Sequence, residues 1–307
     1  MGERTALIQR LDCLAKLATC AMAGRIALGL CLWLAAAAGA PAATPPQSAS
    51  RIVSLNLCTD QIVLDLVTPS RIAAVSHLAA DPTVSAAAGV AVGIASTRGE
   101  AESVIAFDPD LVLAGDYSTP ATVALLERMG RRVVRVPLAT DLEGIRAAIR
   151  QVATAVDEQA AGERLIATFD RRIAAAAPSV TTPRPTALVY QVNGLASSAG
   201  SLADAALAAA GWQNHTRALK TGAGGTLPLE TLVADPPDLL VLTGPADEYR
   251  TAVADNLRHP ALAAVRRQRA SVIVPWRYWL CGTQHTATAI ELLSAARSEV
   301  RAASALR

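Results

Sequence analysis

The sequence predicts an α/β protein of two lobes, each built on a central parallel sheet, with a helical linker between them. Short apolar runs alternate with amphipathic stretches in both halves of the chain, as buried strands and their covering helices do. A proline-free stretch separates the halves, and one motif recurs in each half. With 307 residues, 52% of them hydrophobic, the chain is long enough for two cores and too apolar for disorder.

The N-terminal lobe is predicted over residues 43–140. Its strands are expected where apolar runs are short and bounded by turn residues: Arg51–Leu55, Ile72–Val75, Leu111–Ala114 and Arg132–Val136. Helices are predicted between them at Gln61–Val67, Glu100–Phe107 and Pro120–Met129. Alternation of this kind gives a parallel sheet covered on both faces.

Residues 141–180 are predicted to form the linker helices, because Ala, Arg, Glu, Ile and Leu dominate there and proline is absent from Asp141 to Ala177. We expect a break in this helical stretch near Asp157. Residues 181–307 are predicted as the C-terminal lobe, in which strands and helices alternate again. Strands are expected at Thr186–Val192, Leu239–Thr243 and Ser271–Pro275, and helices at Leu202–Ala210 and from Thr286 onward.

Residues 1–42 have the pattern of a secretory signal peptide. The 13 apolar residues Ile26–Ala38 follow Arg25 and precede Ala40-Pro41-Ala42, a small-residue cleavage site. A membrane span needs roughly 18 or more apolar residues, so a permanent anchor is the less favoured alternative. We expect a mature chain that starts near Ala43 outside the cytoplasm. Met22, just before Arg25, is an alternative to Met1 as the start of translation.

The mature part of the chain is predicted to be electrically neutral. Residues 1–42 hold four basic and two acidic residues, which account for the whole net charge of +2. A neutral body without a basic stripe argues against nucleic acid as a partner.

A repeated motif, E-x6-P-D-L, precedes one predicted strand in each lobe. It begins at Glu102 and again at Glu230, 128 residues later, and each copy runs into an apolar strand. The glutamate favours the positive end of a short helix, and Pro-Asp ends that helix before a buried strand. Two related lobes explain the repeat, and generic helix-to-strand chemistry is the alternative.

These features together resemble the periplasmic substrate-binding proteins of ABC importers, in the helical-backbone class that includes cobalamin and ferric-siderophore receptors. The resemblance extends over residues 51–300, and it is carried by the segment Arg51–Gln61, the two E-x6-P-D-L motifs, and Gly200–Gly211 with Asn214. It implies two Rossmann-like lobes with central parallel sheets, joined by a long rigid α-helix.

What the resemblance implies about function is binding without catalysis. Proteins of this class close a cleft between their lobes around a metal chelate and deliver it to a permease in the inner membrane. The resemblance therefore implies a periplasmic protein whose partners are a chelate and an ABC-importer permease; we expect a monomer with no resident cofactor and no metal site of its own. One surface glutamate in each lobe contacts arginines of the permease, and Glu102 and Glu230 match those positions. Their alternative role is local helix stabilisation of about 0.3–1 kcal/mol each.

The cleft is expected where the carboxyl ends of parallel strands meet the following helices. The polar and aromatic residues at those points are the predicted ligand contacts: Asn56, Cys58, Thr59, His77, Tyr117, Asn193, Arg277, Tyr278 and Trp279. Aromatic rings near an arginine suit a planar, anionic ligand. Of the two neighbouring tryptophans, Trp279 is predicted as the ligand platform and Trp276 as a core residue.

Cys58 and Cys281 remain in the chain once the predicted signal peptide has been removed. Both fall at predicted cleft loops, on opposite lobes. A disulfide that tethers the lobes, a free pair that binds a soft metal, and two unrelated thiols are all open alternatives.

The main competitor from another class is a secreted α/β hydrolase-like enzyme. The sequence contains no G-x-S-x-G elbow and no credible catalytic triad, which disfavours it. Among chelates, the small number of basic cleft residues argues against highly anionic tris-catecholate siderophores, which leaves a cobalamin-like corrinoid slightly ahead of a neutral ferric hydroxamate. A haem receptor of the same fold is a further alternative.

Overall fold

The computed structural model describes residues 48–178, 183–219, 225–244 and 255–305. The predicted signal peptide, residues 1–42, lies outside these ranges. The chain divides after Gln47, and all that is described belongs to the unit Ser48–Arg307. Within the described ranges, no helix combines the length and the hydropathy needed to span a bilayer.

The first sheet has five parallel strands in the order β3-β2-β1-β4-β5. The strands are β1 (Ile52–Ser54), β2 (Ile72–Ser76), β3 (Ser96–Thr97), β4 (Leu111–Gly115) and β5 (Val133–Val136). The helices are α1 (Leu57–Leu66), α2 (Ala88–Ala91), α3 (Ala101–Ala106) and α4 (Pro120–Arg128). The central strands β1 and β4 are almost completely buried, which explains their mainly apolar sequences.

Two linker helices follow, α5 (Leu142–Ala155) and α6 (Gln159–Ala176). The expected break is present, and Asp157 takes a left-handed conformation with φ 60° at that point. The 18-residue α6 joins the lobes: Phe169 packs in the first core, Ile173 contacts both cores, and Ala176 contacts the second.

The second sheet has four parallel strands in the order β7-β6-β8-β9. The strands are β6 (Thr186–Tyr190), β7 (Gln213–Asn214), β8 (Leu239–Leu242) and β9 (Ala270–Ile273). The helices are α7 (Leu202–Ala209), α8 (Leu229–Ala234), α9 (Asp255–Arg258), α10 (Pro260–Gln268) and α11 (Thr286–Ala305). The predicted α/β fold with two parallel sheets is therefore confirmed.

The repeated Pro-Asp has the same structural role in both lobes. The carboxylate of Asp110 accepts the backbone N–H of Ser50 at 2.8 Å and that of Arg51 at 3.1 Å, at the entry to β1. The carboxylate of Asp238 accepts the backbone N–H of Thr186 at 2.8 Å, at the start of β6. Each aspartate lies one residue before a strand, β4 or β8, and connects the start of that strand to the neighbouring strand, β1 or β6.

Candidate functional site

Two cavities lie at the carboxyl ends of the parallel strands. The first, about 270 Å³, is bordered in the N-terminal lobe by the loops that follow β1, β2, β3 and β4. Leu280 and Cys281 of the C-terminal lobe complete its wall. This arrangement follows the general rule that ligand sites in open α/β sheets lie outside the strand ends.

The second cavity, about 930 Å³, lies between the lobes. The segment 82–84 borders it on the N-terminal side, and the ends of β6, β8 and β9 border it on the C-terminal side. Trp276 and Arg277 are among its lining residues. Its size is near the upper end of the range for small-molecule sites, about 300–1,000 Å³.

The loop after β1 is held by the start of α1. Asn56 caps this helix, and its Oδ1 accepts the N–H of Cys58 at 2.9 Å. Since this cap starts α1 at Leu57, the helix begins four residues before the predicted start at Gln61. Asn56 and Cys58 both border the smaller cavity.

Thr59 does not have the surface that a ligand contact needs. Its side chain is only 1% exposed, and its hydroxyl donates to the carbonyl oxygen of Asn56 at 2.9 Å and lies 2.8 Å from Ser54 Oγ. The expectation for Thr59 was therefore wrong in its geometry, because the first turn of α1 points this residue back toward β1.

Three chemically active side chains border the smaller cavity in the N-terminal lobe. His77 follows β2, Arg98 follows β3, and Tyr117 follows β4. Tyr117 is 78% exposed, and Arg98 has no ion-pair partner among the residues that the structure describes. Arg98 was not among the predicted ligand contacts, because β3 is a two-residue strand without an apolar run.

The two tryptophans of the segment 276–279 differ in burial from the expectation. Trp279 is 5% exposed and packs in the second core, whereas Trp276 is half-buried and lines the inter-lobe cavity. A three-residue 3-10 helix, Trp276–Tyr278, turns the chain here, so the alternation of an extended strand does not apply. The burial of the two rings therefore disagrees with the predicted roles of Trp279 as ligand platform and Trp276 as core residue, although Trp276 also packs against the second core.

Arg277 spans the two lobes. Its Nη1 donates to the carbonyl oxygen of Pro82 at 3.0 Å, and its Nη2 donates to the hydroxyl of Tyr278 at 3.3 Å. Its guanidinium carbon lies 4.9 Å from the centroid of the Tyr278 ring. Tyr278 thus contacts Arg277 through both its hydroxyl and its ring. The arginine places a positive charge at the edge of the inter-lobe cavity.

Asn193 does not join the other predicted contacts. It borders a separate cavity of about 560 Å³ within the C-terminal lobe, and its backbone N–H donates to Asn256 Oδ1 at 3.1 Å. From the same loop, Gln191 lines the inter-lobe cavity instead.

Cys58 and Cys281 are joined by a disulfide with their Cα atoms 5.1 Å apart. Of the three alternatives left open by the sequence, the structure has the covalent tether between the lobes. Among the described residues, histidine, cysteine and acidic side chains form no group of three or more that could hold a metal ion.

Glu102 and Glu230 occupy equivalent places in the two lobes. Each is exposed in the first turn of a six-residue helix, α3 or α8, immediately before β4 or β8. The lobes therefore present two matching surface carboxylates.

Asp60 is a buried ionisable residue beside the smaller cavity that the sequence did not single out. It lies on α1 with no exposed surface, and it accepts hydrogen bonds from the backbone N–H and hydroxyl of Ser76, which borders the cavity. Burial raises the pKa of Asp60 to about 7, and hydrogen bonds from Ser54 and Ser76 only partly offset this effect.

We expect Asp60 to make the protein less stable as pH rises. Its folded-state pKa lies above the unfolded value, so the stabilisation is complete below about pH 4 and is lost by about pH 7. Asp60→Asn should flatten this fall in urea unfolding measured from pH 4 to 8. Asp81→Asn should leave the fall intact, because hydrogen bonds from Thr83 lower the pKa of Asp81 and keep its titration below this pH range. An unaltered profile for Asp60→Asn would contradict the assignment.

The walls of the two cavities carry positive and apolar groups. Arg98 and Arg277 are charged, and no Asp or Glu borders either cavity in the part of the chain that is described. A site of this kind suits a ligand with a large apolar or planar surface and some negative charge.

Comparisons with known proteins agree with this architecture. A cobalamin-binding protein of Halobacterium salinarum is 26% identical over 215 residues, which is 69% of this chain and 58% of the relative. The match thus spans less than two thirds of that relative's length. The periplasmic heme-binding protein RhuT from Roseiflexus sp. RS-1 has a similar fold, with a TM-score of 0.67 and 24% identity over 82% of this chain and 99% of that one. The vitamin B12 binding protein BtuF of Vibrio cholerae gives a TM-score of 0.64 and 16% identity, over 83% and 99% of the two chains.

The family assignment rests on the sequence itself. The profile of the family described as periplasmic binding protein matches residues 52–270, which include all nine described strands except the last three residues of β9. The chain belongs to the periplasmic binding protein family.

Proposed function

We propose that this chain is the solute receptor of an ABC importer, and that it captures a metal chelate between its lobes and delivers it to a permease. The observation that supports this most is the cavity of about 930 Å³ between the lobes, at the carboxyl ends of strands from the second sheet. A cobalamin-like corrinoid or a ferric siderophore is the proposed ligand class, and the role is binding without catalysis.

The chemistry of the cleft favours a large chelate with some negative charge. Trp276 offers an aromatic surface in the inter-lobe cavity, and Arg277 beside it can pair with a carboxylate or phosphate. Arg98 supplies a second positive charge in the adjoining N-terminal lobe. The corrinoid is additionally supported by the cobalamin-binding relative.

Haem is the second candidate ligand, because of Tyr117 and His77. Both residues border the same cavity, and a phenol and an imidazole are side chains that bind haem iron. RhuT, which shares the fold, is described as heme-binding.

Secretion and permease docking complete the proposal. Residues 1–42 would direct the chain to the periplasm as a cleaved signal peptide, and the mature receptor would act as a monomer without nucleic acid as a partner. Glu102 and Glu230 would contact basic residues on the two halves of the permease, since matching carboxylates suit a two-fold partner.

The first test is a fluorescence titration of residues 43–307 with cyanocobalamin, a ferric hydroxamate, a ferric catecholate and haemin. Because Trp276 lines the cavity, saturable quenching by one probe at micromolar concentration or below is expected. If none of the four probes quenches the fluorescence of the folded protein, the proposed ligand classes are wrong. Hydrolysis of generic esters by the same sample would favour the enzyme alternative.

Trp276→Ala is expected to weaken binding of that probe by about tenfold or more, because it removes an aromatic surface from the cavity wall. The matched control is Trp279→Phe. Because Trp279 is buried in the second core, this substitution should leave ligand affinity nearly unchanged. The measurement is the dissociation constant by isothermal calorimetry. A larger loss for Trp279→Phe than for Trp276→Ala would reverse the assignment of the two rings.

A further inference from the structure

One stretch of the C-terminal lobe, Arg277–His285, lies against the N-terminal lobe, and we call it the crossing segment. Its first residue donates to the carbonyl oxygen of Pro82 at 3.0 Å. Near its end, Gln284 Nε2 donates to the carbonyl oxygen of Gln61 at 2.8 Å and to Asp65 Oδ2 at 2.6 Å.

Gly282 brings the crossing segment very close to the N-terminal lobe. A Cβ placed on Gly282 would lie 2.5 Å from Ala139 Cβ and 2.7 Å from the carbonyl oxygen of Ala139. Only glycine allows this approach of the two backbones. The segment is therefore fitted to the N-terminal lobe at its middle as well as at its ends.

The disulfide lies in the middle of this segment. It joins Cys281 to Cys58 in the first turn of α1, across 223 residues of chain. Both cysteines border the smaller cavity, and Leu280 of the same segment borders it too. The bond thus holds the part of the C-terminal lobe that closes this cavity.

The noncovalent contacts around the bond are incomplete. Three buried polar atoms at the same junction have no hydrogen-bond partner among the described protein atoms: Gln61 Nε2, Thr283 Oγ1 and Gln284 Oε1. Unpaired buried groups of this kind cost free energy instead of supplying it. The disulfide is therefore the covalent contact that supplements the hydrogen bonds of Arg277 and Gln284 in holding the crossing segment.

We propose that the Cys58–Cys281 disulfide is a redox-sensitive clasp on the smaller cavity, and that its reduction by a dithiol loosens the crossing segment and lowers ligand affinity. The proposal rests on the proposed function, since the smaller cavity contributes Arg98, His77 and Tyr117 to the proposed binding site. Affinity falls because the wall must then be ordered when the ligand binds, at a cost that the bond otherwise removes.

The chemistry is thiol–disulfide exchange with a dithiol as the reductant. Cys58 is half-buried and Cys281 is 2% exposed, so the first thiolate attacks the Cys58 sulfur and Cys281 leaves as a thiolate that takes up a proton. The second thiol of the reductant then displaces Cys58 as a thiol. The S–S bond gains two electrons and two protons, and the dithiol ends as a cyclic disulfide.

The test compares the mature protein with the double variant Cys58→Ser/Cys281→Ser, so that no reductant reaches the probes. Cyanocobalamin and haemin are titrated into both proteins, and we expect the dissociation constant of the bound probe to rise about tenfold in the variant. Gln284→Ala, which removes a noncovalent contact of the crossing segment and keeps the bond, is the matched control and should change affinity less.

Hydrogen–deuterium exchange without ligand provides a second readout that does not depend on the choice of probe. We expect faster exchange in residues 277–285 of the double variant and of dithiol-reduced protein, with the two sheets still protected. Equal exchange and equal affinity in both proteins would overturn the clasp. If neither protein binds a probe, the proposed ligand classes fail, and exchange alone decides whether the bond holds the segment.

Discussion

Replacing Cys58 and Cys281 together by serine is expected to lower the free energy of unfolding by about 3–5 kcal/mol. The bond closes a loop of 223 residues, and cross-links that close long loops restrict the unfolded chain most in the chain-entropy description. At roughly 2–4 °C per kcal/mol for a chain of this size, the melting temperature should fall by about 10 °C. Urea unfolding and differential scanning calorimetry measure the two quantities.

Dithiol-reduced protein is the matched control for this prediction, because it loses the bond without a change of sequence. Its unfolding free energy should agree with that of the double variant. Oxidised, reduced and substituted proteins of equal stability would show that the lobe junction does not depend on the bond. A loss in the variant alone would mean that the serine hydroxyls, and not the missing bond, destabilise the protein.

Reversing both surface charges, Glu102→Arg with Glu230→Arg, is expected to abolish ligand uptake and to leave ligand affinity unchanged. Both glutamates are exposed in short helices outside the cavity walls, so folding should lose only about 0.3–1 kcal/mol at each helix terminus. Where the glutamates would attract basic residues of a permease, the two arginines would repel them. Uptake by cells that carry the permease and calorimetry on the purified protein measure the two effects.

Glu143→Arg is the matched control for docking. It is also an exposed glutamate in the first turn of a helix, but α5 belongs to the linker rather than to the repeated motif. Uptake should survive this reversal. If the double reversal lowers ligand affinity as well as uptake, the docking assignment is wrong. If uptake stays normal, both glutamates serve only local helix stabilisation.

The central strands could be predicted because burial on both faces leaves a visible apolar run. The strand predicted at Leu111–Ala114 corresponds to β4, and that at Leu239–Thr243 to β8, each within one residue. The short edge strands β3 and β7 were missed, because each has two residues and takes its pairing from a neighbour distant in sequence. The start of α1 was placed too late, since it depends on the Asn56 cap and not on apolar periodicity.

The structure has cavities at the strand ends where the ligand site was predicted, and only some of the predicted side chains border them. The strand-end rule brought Asn56, His77, Tyr117 and Arg277 to the two cavities, because the carboxyl ends of parallel strands share one edge. Whether a side chain at such an end faces the cavity depends on the local turn. That is why Trp276 and Trp279 exchanged their expected places.

The sequence by itself determined the two parallel sheets, the linker broken at Asp157, the repeated motif and the family, because each is set by local pattern or by similarity along the chain. Only the tertiary structure decided that Cys58 meets Cys281, that Asp60 is buried beside the cavity, and that Arg98 joins His77 and Tyr117. These are contacts between residues far apart in the chain. Their distances follow from how the strands are ordered and how one lobe packs on the other, and no spacing along the sequence contains that information.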